Sequence, residues 1–331
     1  MKTLPLLSVI MPVYNAEKFL SDAMKSVLGQ SFNNLELIII NDGSTDKSEL
    51  VVQSFTDERI RYFKNEENSG IVYSRNRGLK LAKGDFIGMV DADDIVYPEK
   101  FEKQIEFLKQ NPEYGFVGSW ARFIDENGKR IPGGWKLKAS PEKIPAIMLF
   151  KNYFLQSAVV YQKECIKDFS FTKGFEIGED YLIWYQMLKK YKAWNFPEYL
   201  VDYRMHQHNI TVKHKEKGYE LEREIFRIQF KELGIEATDE ELDIHMKIRY
   251  TETINSTELL KEIEKWLMKI LRYNDLNKVY DKKHLYEVVT NRWMKVCSKF
   301  RPVSLSATRV CLTSKLFSTF ILNRDPLKGR E

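Results

Sequence analysis

The sequence contains no run of about 18 consecutive apolar residues, so no membrane-spanning helix is expected. The opening stretch, Met1-Lys2-Thr3-Leu4-Pro5, leads directly into a strand-like run and has no secretory signal pattern. Cysteine is scarce: Cys165, Cys297 and Cys311 are odd in number and widely spaced. That argues against a cysteine zinc site or a disulfide framework and suits a reducing compartment, the cytosol. Glycine-rich nucleotide loops are missing too. No Gly-x-Gly-x-x-Gly follows the first strand, and Gly43-Ser44-Thr45-Asp46-Lys47-Ser48 lacks the glycine before lysine that a P-loop needs. Dinucleotide oxidoreductases and P-loop ATPases lose their place here. Internal repeats and low-complexity linkers are absent as well.

What remains is a globular composition, 43% hydrophobic and 13% aromatic, in 331 residues, which is long for one domain. The net charge of +5 is unevenly spread. Residues 1–210 hold 28 basic and 28 acidic side chains, whereas residues 291–331 hold nine basic and two acidic ones. The basic excess belongs to the tail.

Apolar runs alternate with helical patterns from residue 8 to 110. Strands are predicted at Ser8 to Pro12, Leu35 to Ile40, Ile60 to Phe63 and Phe86 to Val90, with amphipathic helices between them. This alternation predicts a doubly wound, mainly parallel sheet. Beyond residue 112 the rhythm becomes α+β, with strands predicted at Tyr114 to Ile124 and Tyr153 to Tyr161, a hairpin turn at Asn127-Gly128 and a helix from Gly178. From about residue 215 the pattern is helical: Thr238 with Glu241 forms a capping box, and Ser256 caps a helix bearing Leu259, Ile263, Trp266, Leu267 and Ile270. The expected division is residues 1–214 and residues 215–331.

Three polar clusters follow strands of the parallel half: Tyr14-Asn15, Asp42, and Asp91-Ala92-Asp93-Asp94. Open α/β sheets bind ligands at that edge. Tyr14 could stack on a base and Asp42 accept from a ring N–H. On an extended chain Asp91 and Asp93 point the same way and could share a divalent ion. Singly, each has a plain structural alternative: a rim tyrosine, an Asp-Gly turn, a helix-capping aspartate.

Together these residues resemble the family 2 glycosyltransferases, inverting nucleotide-sugar enzymes of the GT-A fold. The resemblance is carried by Ser8-Val9-Ile10-Met11-Pro12-Val13-Tyr14-Asn15, Asn41-Asp42-Gly43-Ser44-Thr45-Asp46, Asn68-Ser69-Gly70 with Ser74-Arg75-Asn76-Arg77-Gly78, Asp91-Ala92-Asp93-Asp94, Glu179-Asp180 and Tyr203-Arg204-Met205-His206. It spans roughly residues 7–212. It implies a nucleoside site at Pro12, Val13, Tyr14, Asn15 and Asp42, with Asn68, Arg75, Asp91 and Ala92 also on the donor. It further implies Asp93 as principal ligand of Mn²⁺ or Mg²⁺, with Asp91 and His206 as further ligands, and Asp180 as general base with Glu179 orienting the acceptor. The expected donor is a nucleotide diphosphate sugar, UDP-linked in preference, and the acceptor a glycan or lipid-linked hydroxyl of cell-envelope or extracellular glycan synthesis. A sugar nucleotidyltransferase is the alternative, although Tyr14-Asn15-Ala16-Glu17 is not its glycine- and arginine-rich loop. A non-catalytic nucleotide-binding scaffold is the third reading. Trp120, Trp135 and Phe154 are candidates for sugar stacking or for the core.

The tail interleaves Leu305, Val310, Leu312, Leu316, Phe317, Phe320 and Ile321 with Arg309, Lys315 and Arg324. Such a stretch, residues 300–331, can lie on an anionic membrane surface, pack on its own domain or join an oligomer. The enzyme would then be cytoplasmic and peripheral on the inner face of the membrane. No nucleic-acid recognition module is present, so nucleic acid is not an expected partner.

Overall fold

Seven consecutive buried residues, Leu7–Val13, form strand β1, and the sheet is laid out around it. A computed structural model describes residues 6–207, 209, 213–301 and 305–317. His208 of the His-x-His pair, and Phe320, Ile321 and Arg324 of the basic tail, lie outside the described residues. The other strands are β2 (Leu35–Asn41), β3 (Ile60–Lys64), β4 (Phe86–Met89), β5 (Ile95–Val96), β6 (Tyr114–Ile124), β7 (Arg130–Trp135), β8 (Val160–Gln162) and β9 (Lys192–Arg204). Their order is β3-β2-β1-β4-β8-β6-β9-β5, with β7 paired to β6. The first four run parallel, and β8 pairs antiparallel with β4 and with β6. The sheet is therefore mixed and mainly parallel in its first half.

β1 runs through Pro12 rather than stopping there. Val90 N donates to Ile10 O, the last bond made by the β4 side, while Asp42 N donates to Val13 O on the β2 side. By strand alternation Pro12 faces the β4 side, past that last bond, so its missing N–H leaves no partner unmet.

The helices are α1 (Leu20–Leu28), α2 (Ser48–Gln53), α3 (Ile71–Leu81), α4 (Lys100–Gln110), α5 (Ile144–Met148), α6 (Lys163–Ile166), α7 (Glu179–Met187), α8 (Lys215–Glu232), α9 (Asp239–Tyr250), α10 (Thr257–Asn277), α11 (Lys282–Ser298) and α12 (Leu305–Thr313). The chain divides into two compact units. One, the sheet unit, holds the described residues up to Pro141 together with Tyr153–Gly218; the other, the helical unit, holds Glu142–Asn152 and the described residues from Tyr219 onward. Glu142–Asn152 groups with the helices because Gln229 Nε2 donates to Met148 O at 3.2 Å and His245 Nε2 meets Leu149 O at 2.9 Å.

In the helical unit the capping box at Thr238 and Glu241 closes, and Ser256 Oγ accepts from Leu259 N at 3.0 Å. His245 is fully buried, ringed by Phe150, Phe226, Phe230 and Trp266. Trp266 Nε1 donates to its Nδ1 at 3.2 Å, which makes Nε2 the protonated nitrogen facing Leu149 O. Burial pushes its pKa down to about 3.

The predicted strand Tyr153 to Tyr161 is a correction. Only Val160–Gln162 is strand, and Gln156–Ala158 forms a single 3₁₀ turn. The run is apolar because both conformations bury it, so the pattern could not separate them.

Candidate active site

The strand ends deliver the polar clusters to one edge of the sheet unit. After β1, Tyr14 is 49% exposed and Asn15 adopts a left-handed φ of 50°. The Asn15 side chain accepts from Thr45 N at 2.8 Å, while its own N–H donates to Ser44 Oγ at 3.0 Å. Asn15 thus ties the first loop to the second and leaves Tyr14 facing outward. Pro12 and Val13 are buried within β1.

After β2, Asp42 is buried and anchors the approach to α3. Its Oδ1 accepts from Asn65 Nδ2 at 2.6 Å and Ser69 N at 3.0 Å, and its Oδ2 accepts from Gly70 N at 2.8 Å. Gly43, at φ +68°, lies so close to the Glu67 backbone that a Cβ would come within 2.6 Å of it. No larger residue could hold this turn. Asn68 is exposed, and its Oδ1 accepts from Gly70 N at 3.1 Å.

α3 carries Arg75. The helix lies hard against β1 at Gly78, where a Cβ would meet Ile10 Cγ2 at 2.3 Å. One turn earlier Arg75, 4% exposed, reaches between two elements: Nη2 donates to Asp91 Oδ1 at 2.8 Å and Nη1 donates to Glu179 Oε1. The Phe171 ring lies under the guanidinium at 5.6 Å, held by Asn76, which bonds both Phe171 N and Phe171 O. Burial works against the Arg75 charge, but Asp91, Glu179 and Asp180 outweigh it and hold its pKa above the usual range.

Glu179 and Asp180 open α7, whose residues Tyr181 to Tyr185 are all buried, so the pair is fixed in place. Burial pushes the Glu179 carboxyl up to about 8, with Asp180 and Asp91 adding and Arg75 opposing. Burial likewise lifts Asp180 to about 6, again against Arg75. Tyr181 N donates to Asp180 Oδ1 at 2.6 Å. A carboxylate poised just below neutrality can accept a proton and still be ionised at rest.

The Asp91-to-Asp94 segment departs from the extended geometry that its alternation implied. β4 ends at Met89, and Asp94 N donates to Asp91 O at 3.2 Å, closing a turn. Asp91 therefore turns to Arg75, and its N–H donates to Ser157 Oγ at 3.0 Å. Asp93 turns elsewhere: its Oδ2 lies 2.8 Å from His206 Nε2 and 3.4 Å from Asn209 Nδ2. Among the described residues no three His, Cys, Asp or Glu side chains converge as a ligand set, so Asp91, Asp93 and His206 do not form a ready-made triad. Ala92 is buried. Asp94 caps no helix; fully buried, its Oδ1 accepts from Arg204 N at 2.9 Å. Arg204 also donates from Nε to Asp93 O at 2.8 Å, and its guanidinium lies over Phe19 at 4.8 Å.

Four residues that build this site escaped the sequence reading as individual positions: Asn65, Ser157, Arg204 and Asn209. Asn65, Ser157 and Asn209 are lone polar residues in ordinary surroundings; Arg204 sits beside His206 in a motif but carries no separate signal. Of the sugar-stacking candidates, Phe154 is core at 1% exposure, packed edge-on to Phe116, Tyr153 and Trp184. Trp120 and Trp135 are partly buried and donate to Leu137 O and Tyr153 O.

A mixed sheet with aspartates at its parallel strand ends, facing a carboxylate pair on a buried helix, defines a GT-A glycosyltransferase. A family model described as glycosyl transferase family 2 matches residues 8–172. An Escherichia coli relative, the UDP-Glc:alpha-D-GlcNAc-diphosphoundecaprenol beta-1,3-glucosyltransferase WfgD, is 35% identical over 222 residues, 66% of this chain and 83% of that protein. The chain belongs to glycosyl transferase family 2. In fold it is similar to S. aureus TarS 1-349 in complex with UDP-GlcNAc, with a TM-score of 0.56 at 17% identity over 96% of this chain and 92% of that one. It is likewise similar to the mannosyltransferase PcManGT from Pyrobaculum calidifontis in complex with GDP-Man and Mn2+, with a TM-score of 0.55 at 14% identity over 96% and 81%. The nucleotidyltransferase and scaffold alternatives give way to this family.

Proposed function

We propose that the sheet unit transfers a hexosyl or N-acetylhexosaminyl group, with inversion, from a nucleotide diphosphate sugar to an acceptor hydroxyl. The observation that carries this reading is Arg75, which joins the strand-end carboxylate Asp91 to the helix-borne pair Glu179-Asp180. It links a donor-side group to acceptor-side groups through one buried cation.

Tyr14 stacks on the base in this reading, which its exposure just after β1 supports, with Pro12, Val13 and Asn15 shaping that wall. Asp42 holds the Ser69-Gly70 turn and the nucleoside edge; Asn68, Asp91 and Ala92 border the donor. UDP is the favoured carrier, in line with the donor named for the E. coli relative. Asp180 is the general base and Glu179 orients the acceptor. A base on the side opposite the leaving group contributes about 10²- to 10⁴-fold.

The residues fit a divalent ion. Asp93 and His206 bring a carboxylate oxygen and an imidazole nitrogen together at 2.8 Å, and Asn209 Nδ2, 3.4 Å from the same carboxylate oxygen, holds Asp93 in place. Such a mixed set suits Mn²⁺ better than Mg²⁺, which prefers oxygen alone. When bound, the ion would neutralise charge on the leaving diphosphate.

The acceptor we infer is a glycan or lipid-linked hydroxyl of envelope or extracellular glycan synthesis, handled in the cytoplasm at the inner membrane face. Among the described residues no helix is long and apolar enough to cross a membrane. Leu305 and Leu312 are exposed on α12 beside Arg309, which supports a surface contact there. Removing residues 300–331 should then release the protein from anionic vesicles while sparing activity on a soluble acceptor; intact protein that ignores such vesicles would refute the surface contact.

A donor screen tests the reading. Mn²⁺-dependent release of UDP or GDP is expected for one sugar nucleotide, stimulated by the matching acceptor and lost in Asp93→Ala. Undiminished release by Asp93→Ala would overturn the metal assignment.

A further inference from the structure

We propose that Asn76 and Phe171 are positioning residues of the transfer reaction: they hold the Arg75 guanidinium at the angle from which it meets Asp91 and Glu179 together. The consequence for turnover rests on the transfer reading above, whereas the clamp itself does not. Arg75 is buried, with Nη2 on Asp91 Oδ1 at 2.8 Å and Nη1 on Glu179 Oε1. Its Nε is buried too, yet among the described residues nothing accepts from it. Two ion pairs, one at each tip nitrogen, leave the guanidinium plane free to tilt about the line joining them. The Phe171 ring fixes that tilt: the guanidinium lies over it at 5.6 Å, within the range at which an aromatic face attracts a cation. Phe171 is itself 2% exposed, so water does not weaken the contact.

The ring is placed by the residue next to Arg75. Asn76 Nδ2 donates to Phe171 O at 2.8 Å, and Asn76 Oδ1 accepts from Phe171 N at 2.9 Å. One amide thus satisfies both backbone groups of one residue, as a neighbouring strand would. A single bond would let the segment swing, whereas two fix its height and its direction. Because Arg75 and Asn76 are consecutive in α3, the guanidinium and the ring beneath it are set from one helical frame. The gripped segment also runs on to the carboxylate pair. From Phe171 it passes through a turn closed by Phe175 N on Thr172 O at 3.2 Å, then through Gly178, at φ +80°, into α7 and Glu179. Arg75 and Glu179 therefore meet from two sides that the same amide ties together. Losing the amide leaves Arg75 its charge and both carboxylates, but not their relative placement. A misplacement of about 1 Å in such a group costs up to about 10²-fold in rate. A clamp serving stability alone would leave the kcat of the folded molecules unchanged.

The test compares the full-length parent with Asn76→Ala and Phe171→Leu, each alone and combined with Arg75→Lys, which keeps the charge but not the fork. Phe171→Leu keeps both backbone bonds and an apolar side chain, so it carries the test if Asn76→Ala does not fold. With the active donor, each single variant should lower kcat about ten- to hundredfold while the donor KM stays within about twofold. Added to Arg75→Lys, the same changes should cost little further, because what they position is already lost. A parental kcat, or losses that multiply with that of Arg75→Lys, would overturn the positioning role. A second readout needs no turnover: phenylglyoxal modification of Arg75, scored by peptide mapping against the exposed Arg130. Arg75 should react at least about tenfold faster in both single variants than in the parent, and no faster in Thr238→Ala. Equal protection of Arg75 in all of these proteins would overturn the clamp. A parent that releases nucleotide from no sugar nucleotide, while Arg75 still becomes reactive in the variants, would sink the transfer reading and leave the clamp standing.

Discussion

The two units bury polar groups for different ends. In the sheet unit the site's charged groups are buried: Asp42, Asp94, Glu179 and Arg75 are all less than a tenth exposed, and burial lifts the carboxyls of Asp94, Glu179 and Asp180, with Asp91 adding to each. In the helical unit buried polar groups mostly staple the backbone. His245, Gln229 and Asn274 bond carbonyls of neighbouring segments. Where buried polar groups satisfy the chain they stabilise it; where carboxylates confront one another around a single arginine they are held for chemistry. The difference implies that substitutions should separate activity from stability by unit.

The largest effect expected is on turnover. Asp180→Asn should lose about 10²- to 10⁴-fold in kcat while nucleotide binding persists. Its stability should not fall: a carboxylate whose folded pKa is raised is costly when ionised, so a neutral amide at pH 7 relieves the fold. Wild-type turnover in this variant would move the base elsewhere, and a collapse in melting temperature would make Asp180 a structural group. The same carboxyl sets the pH profile. With a value of about 6, the base is protonated below it, so kcat/KM should fall about tenfold per pH unit on the acid side. A profile flat from pH 7 to 5 would remove Asp180 from the rate.

Much of the sheet unit was legible because its signals are contiguous. Runs such as Leu37 to Ile40 are apolar on both faces, as parallel strands must be, and the clusters Tyr14-Asn15, Asp42 and Asp91 to Asp94 each follow such a run. What stayed hidden depends on the chain's return through space. The pairing of Asp91 with Arg75, instead of with Asp93, follows from a strand that stops at Met89, one residue before its expected end, and from the turn that Asp94 N closes on Asp91 O. Ser157 reaches Asp91 only because an apolar stretch folds as a 3₁₀ turn. The helical unit showed its caps and its apolar stripes, but nothing in Glu142–Asn152 signals that it belongs there. That membership rests on backbone carbonyls, which carry no sequence information.

In the helical unit the expectation reverses, with stability moving and chemistry not. His245 is neutral when folded, with a pKa of about 3, against about 6.5 when unfolded. Between those values the unfolded chain binds the extra proton, so stability is lost as pH falls below about 6.5, approaching about 1.4 kcal/mol per pH unit. Denaturant unfolding followed through buried Trp266 and Trp293 should show that slope, and His245→Phe should flatten it.

The smallest effect isolates a single cap. Thr238 Oγ1 accepts from Glu241 N at 3.3 Å, and Glu241 Oε2 accepts from Thr238 N at 3.2 Å, so each satisfies one of the orphan N–H groups at the start of α9. Thr238→Ala removes one of those acceptors and should cost about 1 kcal/mol of stability. Both bonds are exposed and far in sequence from every strand-end cluster, so kcat and donor affinity should match the parent. A loss of turnover in Thr238→Ala without a matching loss of stability would break the division of labour between the two units, because the cap could then act only by tuning the transfer site.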